Sequence, residues 1–156
     1  MRIVIFGNSG AGKSTLAAAL AREHGLRHLD LDTLAWLPTS PPQRAPLAES
    51  LAKLAAFTEQ ADAWVIEGCY ADLIEPAAQR STELVFLNPG VDVCLEHCRA
   101  RPWEPHKYPT KQAQDANLPM LLDWVRAYAT REDEFSLRAH RALFDRFTGA
   151  KREVTG

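Results

Sequence analysis

The stretch that most limits what this chain can become is its first fifteen residues. Arg2 to Phe6 contains four consecutive apolar residues, the run expected of a strand buried on both faces. It leads directly into Gly7-Asn8-Ser9-Gly10-Ala11-Gly12-Lys13-Ser14-Thr15, and a helical pattern starts at once with Leu16, Leu20 and the alanines between them. A strand, a loop of the form Gly-x-x-x-x-Gly-Lys-Ser and a helix, in that order, make a P-loop, or Walker A motif. Its glycines let the backbone curl until successive N–H groups face a phosphate, and the helix start adds partial positive charge. Lys13 is then placed to reach the β- and γ-phosphate oxygens, and the Ser14 hydroxyl to ligate Mg²⁺. Gly7 to Thr15 is therefore the expected nucleotide-binding segment, with ATP and Mg²⁺ as the expected cofactors.

The rest of the chain bounds what surrounds that loop. Its 156 residues suit one domain with a proper core and are too few for two. A net charge of −2 provides no general attraction to nucleic acid or to an anionic membrane. No apolar run approaches membrane-spanning length. Neither nucleic acid nor membrane is expected as a partner; monomer and homodimer stay open. Three cysteines and the lack of an export signal ahead of the glycine loop point to reduced thiols and a cytoplasmic protein.

Taken in order, the first helix spans Lys13 to His24 with Gly25 as its cap. Leu26 to Asp32 alternates apolar and polar residues and reads as a second strand ending in carboxylates. The prolines from Pro38 to Pro46 predict an exposed loop, followed by a helix over Leu47 to Ala61. Ala63 to Glu67, closed by Gly68, is the third strand; Tyr70 to Arg80 is a loop or a short helix broken by Pro76. Glu83 to Leu87 is the fourth strand, and Asp92 caps a helix from Val93 to Ala100. A Pro-rich, aromatic loop follows, and a helix resumes by Leu118 with Asn117 as its cap. Glu134 to Phe147 is the last helix, and Glu153-Val154 a last, edge-like strand. Alternating strands and helices mean a parallel sheet covered on both faces, with function gathered at the strand C-termini.

Those ends carry Asp30, Asp32 and Glu67, which compete to support the metal and to orient an acceptor hydroxyl. The two aspartates share a face if the second strand persists through both. Phosphoryl transfer also needs cations against the transferring group. Arg99 and Arg101, followed by Pro102, enter a loop suited to close over phosphates, with Lys107 a weaker candidate there. Trp36 and Tyr70 fall just past strand ends and are placed to stack on an acceptor. Cys94, His97 and Cys98 sit at i, i+3, i+4, but no fourth ligand stands nearby and a zinc site is rejected. His24, His28 and His140 read as structural or solvated.

With these residues in view, the chain resembles the small P-loop kinases that include adenylate, shikimate and gluconate kinases. It looks closest to a bacterial branch called topology modulation proteins. The resemblance is carried by Gly7 to Thr15, Leu29-Asp-Leu-Asp-Thr-Leu-Ala-Trp36, Trp64-Val-Ile-Glu-Gly-Cys-Tyr70 and Leu84 to Leu87. It implies a three-layer α/β fold whose five-stranded parallel sheet has the first strand between the third and fourth, the second and fifth at the edges. It also implies a lid from about Arg101 to Asn117 and an acceptor-binding segment from about Leu34 to Ala61. Asp30-Leu-Asp32 matches the shikimate kinase Asp-x-Asp, implying Asp30 near Mg²⁺ and Asp32 on the acceptor hydroxyl, and Arg101-Pro102 matches its lid. Glu67-Gly68-Cys69 replaces that family's glycine triplet, and only Arg44 in the acceptor segment is placed to grip an anion, which argues against shikimate. The expected activity is transfer of the γ-phosphate of ATP to a small-molecule hydroxyl or phosphate. Lys13, Asp32 and Arg101 are the catalytic candidates, Ser14 and Asp30 the metal ligands. Asp32, Trp36, Arg44, Glu67, Gly68 and Tyr70 are candidates for binding the acceptor. The rival is a regulatory module that hydrolyses ATP slowly and acts on a protein partner.

Overall fold

A computed structural model of the protein describes residues 1–39 and 42–156; Ser40 and Pro41, in the expected Pro-rich loop, lie outside them. Strand β1 (Arg2–Gly7) is the centre of a five-stranded sheet. It is flanked by β5 (Trp64–Gly68) and β6 (Glu83–Leu87), with β2 (Arg27–Asp30) and β7 (Ala150–Val154) at the edges, and every pairing is parallel. The strand order is the expected one, the first strand lying between the third and fourth of the sheet.

Alternation along β1 builds two cores. Ile3 and Ile5 point to one face, where α1 (Lys13–His24), α5 (Val91–Ala100) and α6 (Lys111–Arg126) pack through Ala17, Cys94, Leu95, Cys98 and Val125. Val4 and Phe6 point to the other, against α3 (Leu47–Gln60), α4 (Ala71–Gln79) and α7 (Leu137–Arg146). These helices lay Leu54, Leu73, Ile74 and Leu143 on the sheet. The result is helix, sheet, helix: the three-layer α/β architecture.

Several local expectations change. Strand β2 stops at Asp30, because the Asp30 carboxylate accepts the Asp32 N–H at 2.9 Å and turns the chain into a short helix, α2 (Asp32–Ala35). Asp30 and Asp32 are therefore not alternate residues of one strand. Within the Pro-rich segment, β3 (Trp36–Leu37) pairs antiparallel with β4 (Gln43–Arg44), so the arm is a small hairpin rather than plain loop.

Helix α4 runs through Pro76. An interior proline costs ~3 kcal/mol. Leu73, Ile74, Ala77 and Ala78 are all buried on the same face, and fully burying a single leucine or isoleucine returns about 1.5–3 kcal/mol. Burial wins. Helix α6 begins at Lys111, capped by the Thr110 hydroxyl on the Ala113 N–H, and continues through Pro119; Asn117 is inside it, donating to the Tyr108 hydroxyl. Helix α5 starts after Gly90, with Asp92 in its first turn rather than at its cap, and α7 starts after the Ser136 cap.

Candidate active site

The loop between β1 and α1 is held in shape from outside. Gly10 has φ +82°, and a Cβ there would stand 2.3 Å from the Cys94 carbonyl oxygen of α5. Only glycine lets the loop sit that close to the helix. His97, one turn further along α5, places Nδ1 2.6 Å from the Gly10 carbonyl. Asn8 is buried; its Nδ2 donates to the Val125 carbonyl at 3.2 Å and its Oδ1 accepts the Ser9 N–H at 2.9 Å. The Lys13 ammonium donates to the Asn8 carbonyl at 2.7 Å, spanning the mouth of the loop. Helix α1 begins on Gly12 with no side-chain cap, which leaves its first-turn amides facing the loop.

At the start of α1, the Ser14 hydroxyl donates to Glu67 Oε1 at 2.8 Å. Glu67 lies near the end of β5 and is 2% exposed. Its second oxygen, Oε2, is 2.7 Å from His28 Nε2 on β2. The hydrogen bond to Glu67 raises the His28 pKa above its ordinary value, against the opposing effect of burial. Asp30 stands opposite Glu67 in the β2–β5 register. Burial, followed by the charges of Asp32 and Glu67, pushes its carboxyl up to about 6.

Asp32 sits one step beyond this group. Burial opposes its ionisation, but the Lys107 ammonium, the Tyr70 hydroxyl and the more distant Lys13 outweigh that, and its pKa falls below the usual carboxylate value. Lys107 Nζ is 2.9 Å from Asp32 Oδ2 and 3.5 Å from Glu104. The Tyr70 hydroxyl donates to Asp32 Oδ1 and accepts the Trp36 indole N–H at 2.7 Å. Burial, aided by Cys69 and Asp32, raises the Tyr70 pKa, so the phenol remains a donor. Trp36 itself is 42% exposed, beside this chain of hydrogen bonds.

Not every candidate stands where its residue type suggested. Arg101 reaches the loop, with Nη2 3.4 Å from Ser9 Oγ and Nη1 3.8 Å from Glu104. Arg99 is exposed on α5, away from these contacts. The Arg44 charge is shared between Glu134 at 3.1 Å and Asp72 at 3.4 Å, and its guanidinium lies 4.8 Å from the centre of the Tyr70 ring. Gly68 is where β5 passes Leu31: a Cβ there would lie 2.9 Å from the Leu31 side chain. Cys94 and Cys98 are buried in the core, and the described residues contain no group of three or more His, Cys, Asp or Glu side chains able to hold a metal.

Sequence reasoning missed His28 and His97. Nothing in their local sequence separates them from solvated histidines. What distinguishes them is a neighbour 39 residues away for His28 and 87 residues away for His97.

A family model described as an AAA domain matches residues 3–147. The chain belongs to the AAA domain family. A search of curated proteins finds no match. Among solved structures, this AAA domain is similar to a shikimate kinase from Acinetobacter baumannii in complex with shikimate, at 17% identity and a TM-score of 0.56 over 99% of this chain and 83% of that one. It is also similar to a deoxyadenosine kinase from M. mycoides with bound dATP, at 11% identity and a TM-score of 0.54 over 99% of this chain and 91% of that one. At these identities the likeness establishes the fold alone, a three-layer α/β P-loop NTPase architecture.

Proposed function

We propose that the protein is an ATP- and Mg²⁺-dependent phosphotransferase acting on a hydroxyl of a small molecule. One observation carries this reading: an ionised, half-buried Asp32 stands beside the phosphate loop, held by Tyr70 on one oxygen and Lys107 on the other. A simple nucleotide-binding loop has no use for such a group, whereas transfer to an acceptor needs a carboxylate that orients the attacking oxygen.

In this reading the loop amides and Lys13 bind the β- and γ-phosphates, and Arg101, reaching from the lid segment that begins with it, neutralises the transferring group. The hard oxygen donors Ser14, Glu67 and Asp30 fit Mg²⁺, which keeps most of its own water and needs few protein ligands. Ser14 would hold the metal, with Glu67 and Asp30 as its outer partners. When bound, the ion would supply neutralisation of the phosphate charge. Asp32 aligns the acceptor hydroxyl. The acceptor oxygen bonds to the γ-phosphorus as the bond from that phosphorus to the β-bridging oxygen breaks, ADP departs, and the hydroxyl proton passes to Asp32 or onward to water. A low pKa suits this role, because a loose transition state asks for alignment more than for a strong base.

A hydroxyl rather than an anionic acceptor is favoured because the cations on this side are already matched. Arg44 is held by Asp72 and Glu134, and Lys107 by Asp32 and Glu104. The test is ADP formation from ATP across a panel of hydroxylated metabolites. Turnover raised by one class of small molecule supports the reading. Turnover raised only by a protein partner supports the regulatory module instead.

A further inference from the structure

One close contact beside the phosphate loop plays no part in the proposed transfer, that of His28 with Glu67. A carboxylate that is 2% exposed needs a partner on each oxygen, and Glu67 has one on each, Ser14 at 2.8 Å and His28 at 2.7 Å. Ser14 is the hydroxyl expected on the metal, so the orientation of Glu67 decides where that hydroxyl points. His28 comes from edge strand β2 and Glu67 from the adjoining β5, and Asp30, two residues on from His28, is the register partner of Glu67. His28 and Asp30 therefore lie on the face of the sheet that Glu67 occupies. Of the residues around Glu67, Asp30 is another acid and cannot share its charge; His28 supplies the N–H.

We infer that His28 is a positioning residue: by holding Glu67 Oε2 it aims Oε1 at Ser14, and so sets how strongly Mg²⁺ tightens nucleotide binding. The inference rests on the proposed Mg²⁺–ATP site and adds to it a residue that never touches nucleotide or metal. Outer partners of this kind commonly alter metal affinity by about ten- to a hundredfold. Removing the His28 imidazole leaves Oε2 without its donor and the carboxylate free to rotate away from Ser14.

The experiment is calorimetric titration of ADP in Mg²⁺ and in EDTA, for the wild type, His28→Ala and His28→Gln, with melting temperature as a control. Binding in EDTA reads the loop alone; the ratio of the two affinities reads the metal. The expected result is a ratio about tenfold or more below wild type in His28→Ala, unchanged EDTA affinity, and a ratio restored to within about threefold by His28→Gln, whose amide N–H replaces the imidazole donor. Any other pattern overturns the inference, including a full ratio in His28→Ala or an equal loss with and without metal. A wild-type protein whose ADP affinity ignores Mg²⁺ would instead overturn the proposed Mg²⁺–ATP site itself.

Discussion

His140 should make the protein acid-sensitive in a calculable way. The imidazole is fully buried on α7, with Nε2 2.8 Å from the Cys69 carbonyl and Nδ1 2.7 Å from the Tyr128 hydroxyl. These bonds suit the neutral ring, with Nε2–H donating and Nδ1 accepting. Burial lowers its pKa from 6.5 to about 4. The unfolded chain therefore binds a proton that the folded one refuses between those values. Stability is full above about pH 6.5 and falls as the pH drops toward 4, by about 2 kcal/mol at pH 5 and about 3 kcal/mol at pH 4. The effect reaches the site, because Cys69 lies between Glu67 and Tyr70, and its carbonyl is pinned by this ring. Asp30 acts in the opposite direction: its carboxyl, raised from 3.8 to about 6, adds stability as the pH falls through that window. The two must be separated by difference. Urea unfolding of wild type and His140→Gln at pH 7.5, 6 and 5 does so, since glutamine keeps a donor and an acceptor but does not titrate. The wild type should lose about 2 kcal/mol more than the variant between pH 7.5 and pH 5. Equal pH slopes, or an imidazole NMR midpoint for His140 near 6.5, would refute the reasoning.

Two further substitutions probe the loop and the acceptor side. Asp32→Asn should lower kcat about 10²- to 10⁴-fold while ATP affinity stays within about threefold, because the amide keeps the shape but cannot take up the hydroxyl proton and sets an NH2 donor in place of a carboxylate oxygen beside the Lys107 ammonium; steady-state kinetics with calorimetry checks both halves. Gly10→Ala meets the Cys94 carbonyl at 2.3 Å and a φ of +82°, so chemical denaturation should show a loss of more than about 2 kcal/mol, and nucleotide affinity should fall with it.

What could be read from the chain before its structure follows the range of the interactions involved. The β1–loop–α1 unit is local: burial pattern, glycine spacing and the Gly25 cap all act within a few residues, and the boundaries of α1 match the expected ones. Elements whose outcome depends on partners far along the chain were harder to read. Pro76 is a helix breaker locally, yet α4 runs through it because its buried face on the sheet outweighs the lost hydrogen bond, and α6 likewise continues through Pro119. The Asp30–Leu31–Asp32 segment looked like continued strand; a side chain taking a backbone N–H turned it instead. Asp30, Asp32 and Glu67 were identifiable as strand-end acids. The partners that hold Glu67 and Asp32, His28 for the first and Lys107 and Tyr70 for the second, approach from a different strand, loop or helix start. Arg44 shows the reverse: as a lone cation it suggested an anion site, and in the fold it serves Asp72 and Glu134.

The central claim is that the curled backbone from Gly7 to Thr15 binds a nucleoside triphosphate through Lys13 and a Mg²⁺-assisted phosphate grip. The most direct measurement is calorimetry of ATP binding to wild type and Lys13→Ala with Mg²⁺ in excess. The account predicts saturable one-to-one binding in the wild type, and loss of at least about tenfold in affinity, ~1.4 kcal/mol, in a variant that melts as the wild type does. No heat of binding in the wild type up to about 1 mM ATP, a ceiling of roughly −4 kcal/mol, or equal affinity in the two proteins, would contradict it.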